Sequence, residues 1–287
     1  MSRTEMQVLE RVAALQHWSD EMRRTGRRIA LVPTMGALHA GHLSLVQIAR
    51  TRADRVVVSL FVNPAQFGPD EDFTRYPRTR ERDLAALRGA GVDVAFTPSV
   101  SEIYPEGDAT RVEVERVTEG MCGRGRPGHF RGVATVVARL FNAARPHLAV
   151  FGEKDYQQLV TIRRMTRDLL YGIEIVAGPT VREPDGLAMS SRNAYLSAEG
   201  RRQATVLQIA LRELRERVRA GERDTRVLVE TARKRIESEP LARVEYVEIR
   251  DAENLDSLRR VNRPAVAAVA VHIEGTRLID NMLVEEL

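Results

Sequence analysis

Two of the chain's six histidines, His39 and His42, stand three residues apart in the stretch PTMGALHAGH, Pro33 to His42. The stretch follows Arg28 to Val32, which reads as a buried strand, and a helix is expected to start near Gly41. A helix start exposes unpaired N–H groups and the positive end of the helix dipole, so two imidazoles one turn apart can add donors to an anion site there. Gly41 leaves room for a phosphate or a flat base to approach the backbone. The same pair could instead be a capping histidine and a core histidine, and the residue types alone leave both readings open. Zinc is not indicated, because no third ligand with metal-like spacing stands nearby.

Four further segments carry chemistry. SLFVNPAQF, Ser59 to Phe67, ends a β-branched strand with Asn63 and Gln66, amides suited to hydroxyl and carbonyl recognition; a plain Asn-Pro turn is the alternative. FGEKDYQQL, Phe151 to Leu159, carries Lys154, one of only two lysines in the chain, a compact point charge for phosphate. Asp155 could hold ribose hydroxyls and Gln158 lies one turn into the next helix, although a surface charge cluster has the same composition. In LAMSSRN, Leu187 to Asn193, two hydroxyls and a guanidinium make a clamp for a polyphosphate, or a serine simply caps a helix. RPGHFRGV, Arg126 to Val133, is either a basic loop that closes over anions or a helix-entry turn. Each segment alone is ambiguous, but four of the five fall at strand ends or at a domain junction, and that agreement points to one nucleotide site.

The elements that must position these groups alternate along the first half. A helix is predicted over Leu9 to Arg24, ending at the C-cap signal Gly26. Strands are predicted at Ile29–Val32, Val56–Val62, Val92–Phe96, Leu148–Phe151 and Ile173–Val176, with helices between them. The best defined helix is Gly132–Ala144, whose Val133, Val136, Val137, Leu140 and Phe141 follow helical spacing. This is an α/β pattern: a Rossmann-like parallel sheet with helices on both faces, and ligands beyond the carboxyl ends of the strands. After Pro179 the loop REPDGLAMSSRN leads into a helix with Leu207, Ala210, Leu211, Leu214 and Val218 on one face. A helix at Thr225–Glu237 and strands at Val244–Ile249, Ala265–Ile273 and Leu278–Val284 complete a smaller α+β domain. The expected domains are residues 1–180 and 181–287.

Composition narrows the class. With 43% hydrophobic and 29% charged residues, the 287-residue chain is of the globular kind. No run of eighteen apolar residues occurs and the N-terminus lacks a leader-like apolar core, so a cytoplasmic protein without a membrane partner is expected. The lone Cys122 excludes an internal disulfide framework. Residues 181–287 hold nineteen basic and nineteen acidic residues, so the net charge of +4 lies wholly in the first 180, a weak hint of an anion there.

In order along the chain, PTMGALHAGH, FVNPAQF, RPGHFRGV, FGEKDYQQL and REPDGLAMSSRN closely resemble the pantothenate synthetase (pantoate–β-alanine ligase) family. His39-Ala40-Gly41-His42 is similar to the HIGH signature of class I aminoacyl-tRNA synthetases, and Met189-Ser190-Ser191-Arg192 to a variant of their KMSKS loop without its lysines. The resemblance implies ATP-dependent condensation of (R)-pantoate with β-alanine through a pantoyl adenylate, releasing pyrophosphate and AMP, in pantothenate biosynthesis. It implies an ATP site of Met35, Gly36, Ala37, Leu38, His39, Ala40, Gly41 and His42, completed by Gly152, Glu153, Lys154, Asp155, Val181, Met189, Ser190, Ser191 and Arg192. His42 matches the family's proton-donor position, with His39, Lys154, Ser190 and Arg192 as catalytic partners. Gln66 and Gln158 are expected to hold pantoate, Gln66 also to lie near β-alanine, and Asn63 is a weaker candidate. Mg2+ should accompany ATP; its protein ligands are not assigned, Asp83 being the best of the scattered acids in RTRERDLAAL. A homodimer is implied as well.

Two other classes compete. A nucleotidylyltransferase would keep the HxGH pair, but the Asn63 and Gln66 amides and the MSSR loop suit it less. Forty-two arginines suggest a nucleic-acid-binding module, yet the C-terminal half is charge-neutral, only 5% of residues are aromatic, and basic residues are interspersed with acids, so no nucleic-acid partner is expected. A whole aminoacyl-tRNA synthetase would need more than the 107 residues after the boundary to read an anticodon.

Overall fold

A computed structural model of the chain describes residues 5–69 and 71–285. Along the chain the strands are β1 (Gln7–Leu9), β2 (Ile29–Thr34), β3 (Arg55–Leu60), β4 (Val94–Phe96), β5 (Leu148–Gly152), β6 (Glu174–Gly178), β7 (Ala242–Asp251), β8 (Ala265–Ile273) and β9 (Thr276–Glu285). The helices are α1 (Val12–Arg24), α2 (Ala40–Arg52), α3 (Arg80–Ala90), α4 (Val100–Ile103), α5 (Met121–Gly125), α6 (His129–Ala144), α7 (Tyr156–Asp168), α8 (Ala198–Ala204), α9 (Val206–Arg219) and α10 (Thr225–Glu237).

The described residues form two compact units. The first comprises the chain up to Val114, Arg126–Glu153 and Thr161–Pro179; the second comprises Glu115–Gly125, Lys154–Val160 and the chain from Thr180 onward. The two inserted segments of the second unit are tied together by Gln157, only 4% exposed, whose amide donates to the carbonyls of Val117 and Gly120 and accepts from the Cys122 amide.

In the first unit six strands run parallel in the order β1-β4-β3-β2-β5-β6. Ile29 to Val32 are all buried, as an unbroken apolar run must be when both faces of a parallel sheet are covered. Ala30, Val32, Val56 and Val58 pack with Leu45, Val46 and Ala49 of α2 and with Leu84 and Leu87 of α3. The strand order reverses direction at β2: the chain moves outward through β3 and β4, then restarts on the other side of β2 with β5 and β6. The crevice of such a switch point lies beyond the carboxyl ends of β2 and β5.

Two expectations are corrected. Leu9 belongs to the three-residue strand β1, not to the first helix, because its pairing with Phe96 of β4 decides its conformation. Helix α6 begins three residues before Gly132, its entry set by Gly128 at φ 80°.

In the second unit β7-β8-β9 form an antiparallel sheet. Leu207, Leu211 and Leu214 of α9 and Leu228 and Ile236 of α10 share a core with Val247, Ile249, Val269 and Val271 of that sheet.

Candidate active site

At the end of β2 the chain makes a turn with two successive left-handed residues, Gly36 (φ 82°) and Ala37 (φ 50°), and then enters α2 with His39 as its N-cap. The Nδ1 atom of His39 accepts from the Gly41 amide at 3.2 Å, and the Nδ1 atom of His42 accepts from the His39 amide at 3.4 Å. The two rings lie 4.1 Å apart with planes tilted by 39°. The histidines therefore do cap the helix, but neither is a core residue, since both are only partly buried. Capping and ligand binding are compatible here: a neutral ring that accepts at Nδ1 carries its proton on Nε2. Reciprocal capping thus fixes both tautomers with the proton on Nε2.

The rest of this segment divides by role. The Leu38 side chain is 8% exposed and joins the core against α2 and α3, so its expected part in the ATP site falls to its backbone. Asp83, the best acid for a magnesium ion from sequence, is 2% exposed and accepts from the Ala37 amide (2.9 Å), the Leu38 amide (2.9 Å) and the Thr79 hydroxyl (3.1 Å). Both its oxygens are engaged by the protein. Among the described residues no group of three His, Cys, Asp or Glu stands together as a metal site.

Beyond β3, Asn63 is 1% exposed and uses its whole hydrogen-bonding capacity inside the unit. Its Nδ2 donates to Gln66 Oε1 (3.0 Å) and to the Gly132 carbonyl (3.1 Å), and its Oδ1 accepts from the Ala65 amide (3.2 Å) and the Tyr104 hydroxyl (2.8 Å). Through its Nδ2, Asn63 orients Gln66. With its Oε1 taken, Gln66 turns Nε2 toward Met35, 3.2 Å from the sulfur. Burial pushes the Tyr104 hydroxyl pKa upward despite the guanidinium groups of Arg139 and Arg111, which keeps it a donor to Asn63. Tyr104 has no sequence signal and Asp83 only that of a scattered acid, because each acts on a residue 41 or 46 positions away.

Arg126 and His129 form a helix-entry turn that grips the Gln66 loop. Arg126 pairs with Glu71 (2.6 Å) and donates to His129 Nε2 (2.9 Å), which leaves His129 Nδ1–H to donate to the Gln66 carbonyl at 2.8 Å. Burial alone would raise the Glu71 pKa, but the hydrogen bond and charge of Arg126 outweigh it and hold the carboxylate below its ordinary range. Gly132 is required for the approach of α6 to this loop: a Cβ there would lie 2.1 Å from the Ala65 carbonyl oxygen.

β5 ends at Gly152, and a 3-10 turn, Glu153–Asp155, follows. Gly152 and Glu153 belong to the first unit, Lys154 and Asp155 to the second. In the second unit the Lys154 carbonyl accepts from the Asn281 amide group at 2.8 Å, while Gln158 is half-buried on the first turn of α7. The REPDG segment folds back so that the Met189 amide donates to the Val181 carbonyl (3.0 Å), bringing together two residues expected in one site. Its base is fixed by Arg182 on the buried carboxylate of Asp280 (2.7 and 3.0 Å). Ser190 caps the 3-10 turn Ser191–Tyr195 through the Arg192 amide (3.3 Å), and Asn193 ties that turn to Glu183 and to the Ala188 carbonyl. Ser191 and Arg192 are half-buried.

A parallel sheet with its switch point at β2 and β5, and a histidine-capped helix starting there, defines a nucleotide-binding α/β protein. A profile of the pantoate-beta-alanine ligase family matches residues 7–283, and the chain belongs to that family. It is 51% identical to a pantothenate synthetase of Syntrophobacter fumaroxidans over 97% of this chain and 98% of the relative. Among solved structures it is similar to the pantothenate synthetase of Thermus thermophilus, with TM-score 0.92, 48% identity and coverage of 98% of this chain and 100% of the other. It is also similar to a pantoate-beta-alanine ligase from Francisella tularensis complexed with beta-gamma ATP and beta-alanine, with TM-score 0.82, 34% identity and coverage of 98% and 99%.

Proposed function

We propose that the residues named above run the reaction, with His39 and His42 acting where β2 ends and α2 begins. The chain is an ATP-using ligase that condenses pantoate with β-alanine to pantothenate through a pantoyl adenylate, with release of pyrophosphate and AMP. In the first step a pantoate carboxylate oxygen attacks the α-phosphorus of ATP and the bond to the bridging oxygen breaks, freeing pyrophosphate. The nucleophile is already ionised near neutral pH, so alignment and charge neutralisation are what the protein must supply. In the second step the β-alanine amine attacks the acyl carbon and AMP leaves.

In this reading His39 and His42 donate through Nε2–H to the phosphate oxygens, with His42 the principal donor. Met35 to His42 and Gly152 to Asp155, with Val181 and Met189 to Arg192, act on ATP. Lys154, Ser190 and Arg192 offset the charge that develops on pyrophosphate. Gln66, through its Nε2, and Gln158 hold pantoate. Asn63 acts through Gln66. Magnesium enters with the triphosphate, whose negative charge it offsets.

The exposed Leu170 lines a groove of about 520 Å³ together with Ile173 and with Ile175 of edge strand β6, and this apolar patch supports a homodimer through this face. No described helix is long and apolar enough to cross a membrane; an ATP-using enzyme with a single free thiol is assigned to the cytoplasm.

The reciprocal capping of His39 and His42 at the switch point carries this reading. It is tested by AMP release with pantoate and β-alanine omitted in turn. Sustained AMP formation should need both, and pantoate with ATP alone should give one burst of pyrophosphate. AMP formation indifferent to β-alanine would overturn the reading.

A further inference from the structure

Resting on the function proposed above, we infer that Asp83 is a positioning residue for the adenylation step: its buried carboxylate holds the left-handed turn that delivers the HxGH cap. Asp83 lies in the first turn of α3, 46 positions from Ala37, yet its Oδ2 accepts the Ala37 amide and its Oδ1 the Leu38 amide, each at 2.9 Å. The Thr79 hydroxyl, 3.1 Å from Oδ2, supplies a third donor. A carboxylate that is 2% exposed is tolerable only with such charge-assisted bonds.

The turn it holds needs holding. Gly36 and Ala37 are both left-handed, and Ala37 carries a Cβ that disfavours φ 50°. A sparsely populated conformation persists when its surroundings over-determine it. The two amides bound by Asp83 directly precede the amide of His39, which is held in turn by His42. Asp83 therefore sets where the helix cap begins and so where both Nε2–H groups lie. The three donors on its two oxygens assign Asp83 to this turn, and a Mg2+ titration separates that role from a metal ligand's.

The experiment compares Asp83→Asn, Thr79→Val and the double variant Ala37→Gly/Asp83→Asn with wild type, measuring pantoate-dependent pyrophosphate release across a Mg2+ titration. Asp83→Asn places an N–H2 group against a backbone N–H, and at saturating ATP the rate should fall by about a hundredfold, the scale of a misplaced catalytic group. Half-saturation by Mg2+ and the pantoate KM should stay within about twofold. Glycine adopts the left-handed turn unaided, so Ala37→Gly in the Asp83→Asn background should recover about tenfold. Thr79→Val, which keeps the carboxylate, should lose rate several-fold with the same Mg2+ response and serves if Asp83→Asn does not fold. Wild-type rates in both single variants, or a loss reversed by Mg2+ and not by Ala37→Gly, would overturn the inference. A wild-type protein that releases no pyrophosphate with pantoate would instead overturn the function on which it rests.

Discussion

The imidazole of His39 lies 4.1 Å from that of His42, and each ring accepts a backbone N–H through Nδ1, from Gly41 and from His39. The capping role can therefore be separated from the donor role. Asparagine is a good N-cap, so His39→Asn should keep the helix start while removing the distal N–H; adenylation should fall about a hundredfold with little change in Tm. His39→Ala should lose the cap as well, at about 1 kcal/mol. His42→Ala should lower adenylation by a hundredfold or more. Pyrophosphate release by rapid quench, with thermal melts alongside, checks all three; an unchanged rate in His42→Ala would remove it from the chemistry.

Lys154 is fixed by its carbonyl through Asn281, so Lys154→Ala leaves the backbone anchored. Adenylation should drop about a hundredfold, without recovery in Lys154→Arg, whose planar fork is not an ammonium. Gln158→Ala should raise the pantoate KM and leave the ATP KM nearly intact. An equal rise in both would remove Gln158 from the pantoate site.

Asn63→Ala leaves the Gly132 carbonyl, the Ala65 amide and the Tyr104 hydroxyl without their shared partner, at about 1–3 kcal/mol for a buried polar group. The pantoate KM should rise because Gln66 is released, and Tyr104→Phe, which removes one of the four bonds, should give a smaller shift in the same direction. Substrate kinetics for the two variants decide it: a rise in the ATP KM instead would contradict the role given to Asn63.

Gly132→Ala places a Cβ about one bond length too close to the Ala65 carbonyl. Helix α6 and the Gln66 turn must separate, so the variant should melt earlier and bind pantoate more weakly. A variant with wild-type Tm and KM would show that the approach is not needed.

His147 accepts the Ile29 amide at Nδ1 (3.0 Å), and burial, with Arg23 and Arg28 nearby, lowers its pKa. An unfolded histidine titrates near about 6.5, so below that pH the unfolded chain binds the proton first and stability is lost as pH falls toward the lowered value. His147→Asn retains an acceptor for Ile29 and cannot titrate. Tm followed from pH 7.5 to 5 should decline less in the variant; matching slopes would show that His147 does not contribute.

Much of the fold is legible along the chain because local and tertiary preferences agree. The strand Ala265–Ile273 and the helix Thr225–Glu237 have the bounds that their periodicity predicts. β1 escapes such a reading, since three residues carry no periodicity and only β4 makes them a strand. Leu38 shows the converse: it sits inside the HxGH-bearing motif, but its apolar side chain beside α2 and α3 is drawn into the core.

What the sequence determines by itself is the inventory and its order: an α/β first part, a smaller α+β second part, and five motifs at or near element ends, all set by short-range spacing. Only the tertiary structure decides which polar atoms face a ligand and which serve the protein. Asn63 is satisfied by Tyr104, and Asp83 closes on a turn 46 residues away. A buried polar group must find its partners wherever the fold brings them, and spacing along the chain does not encode those partners.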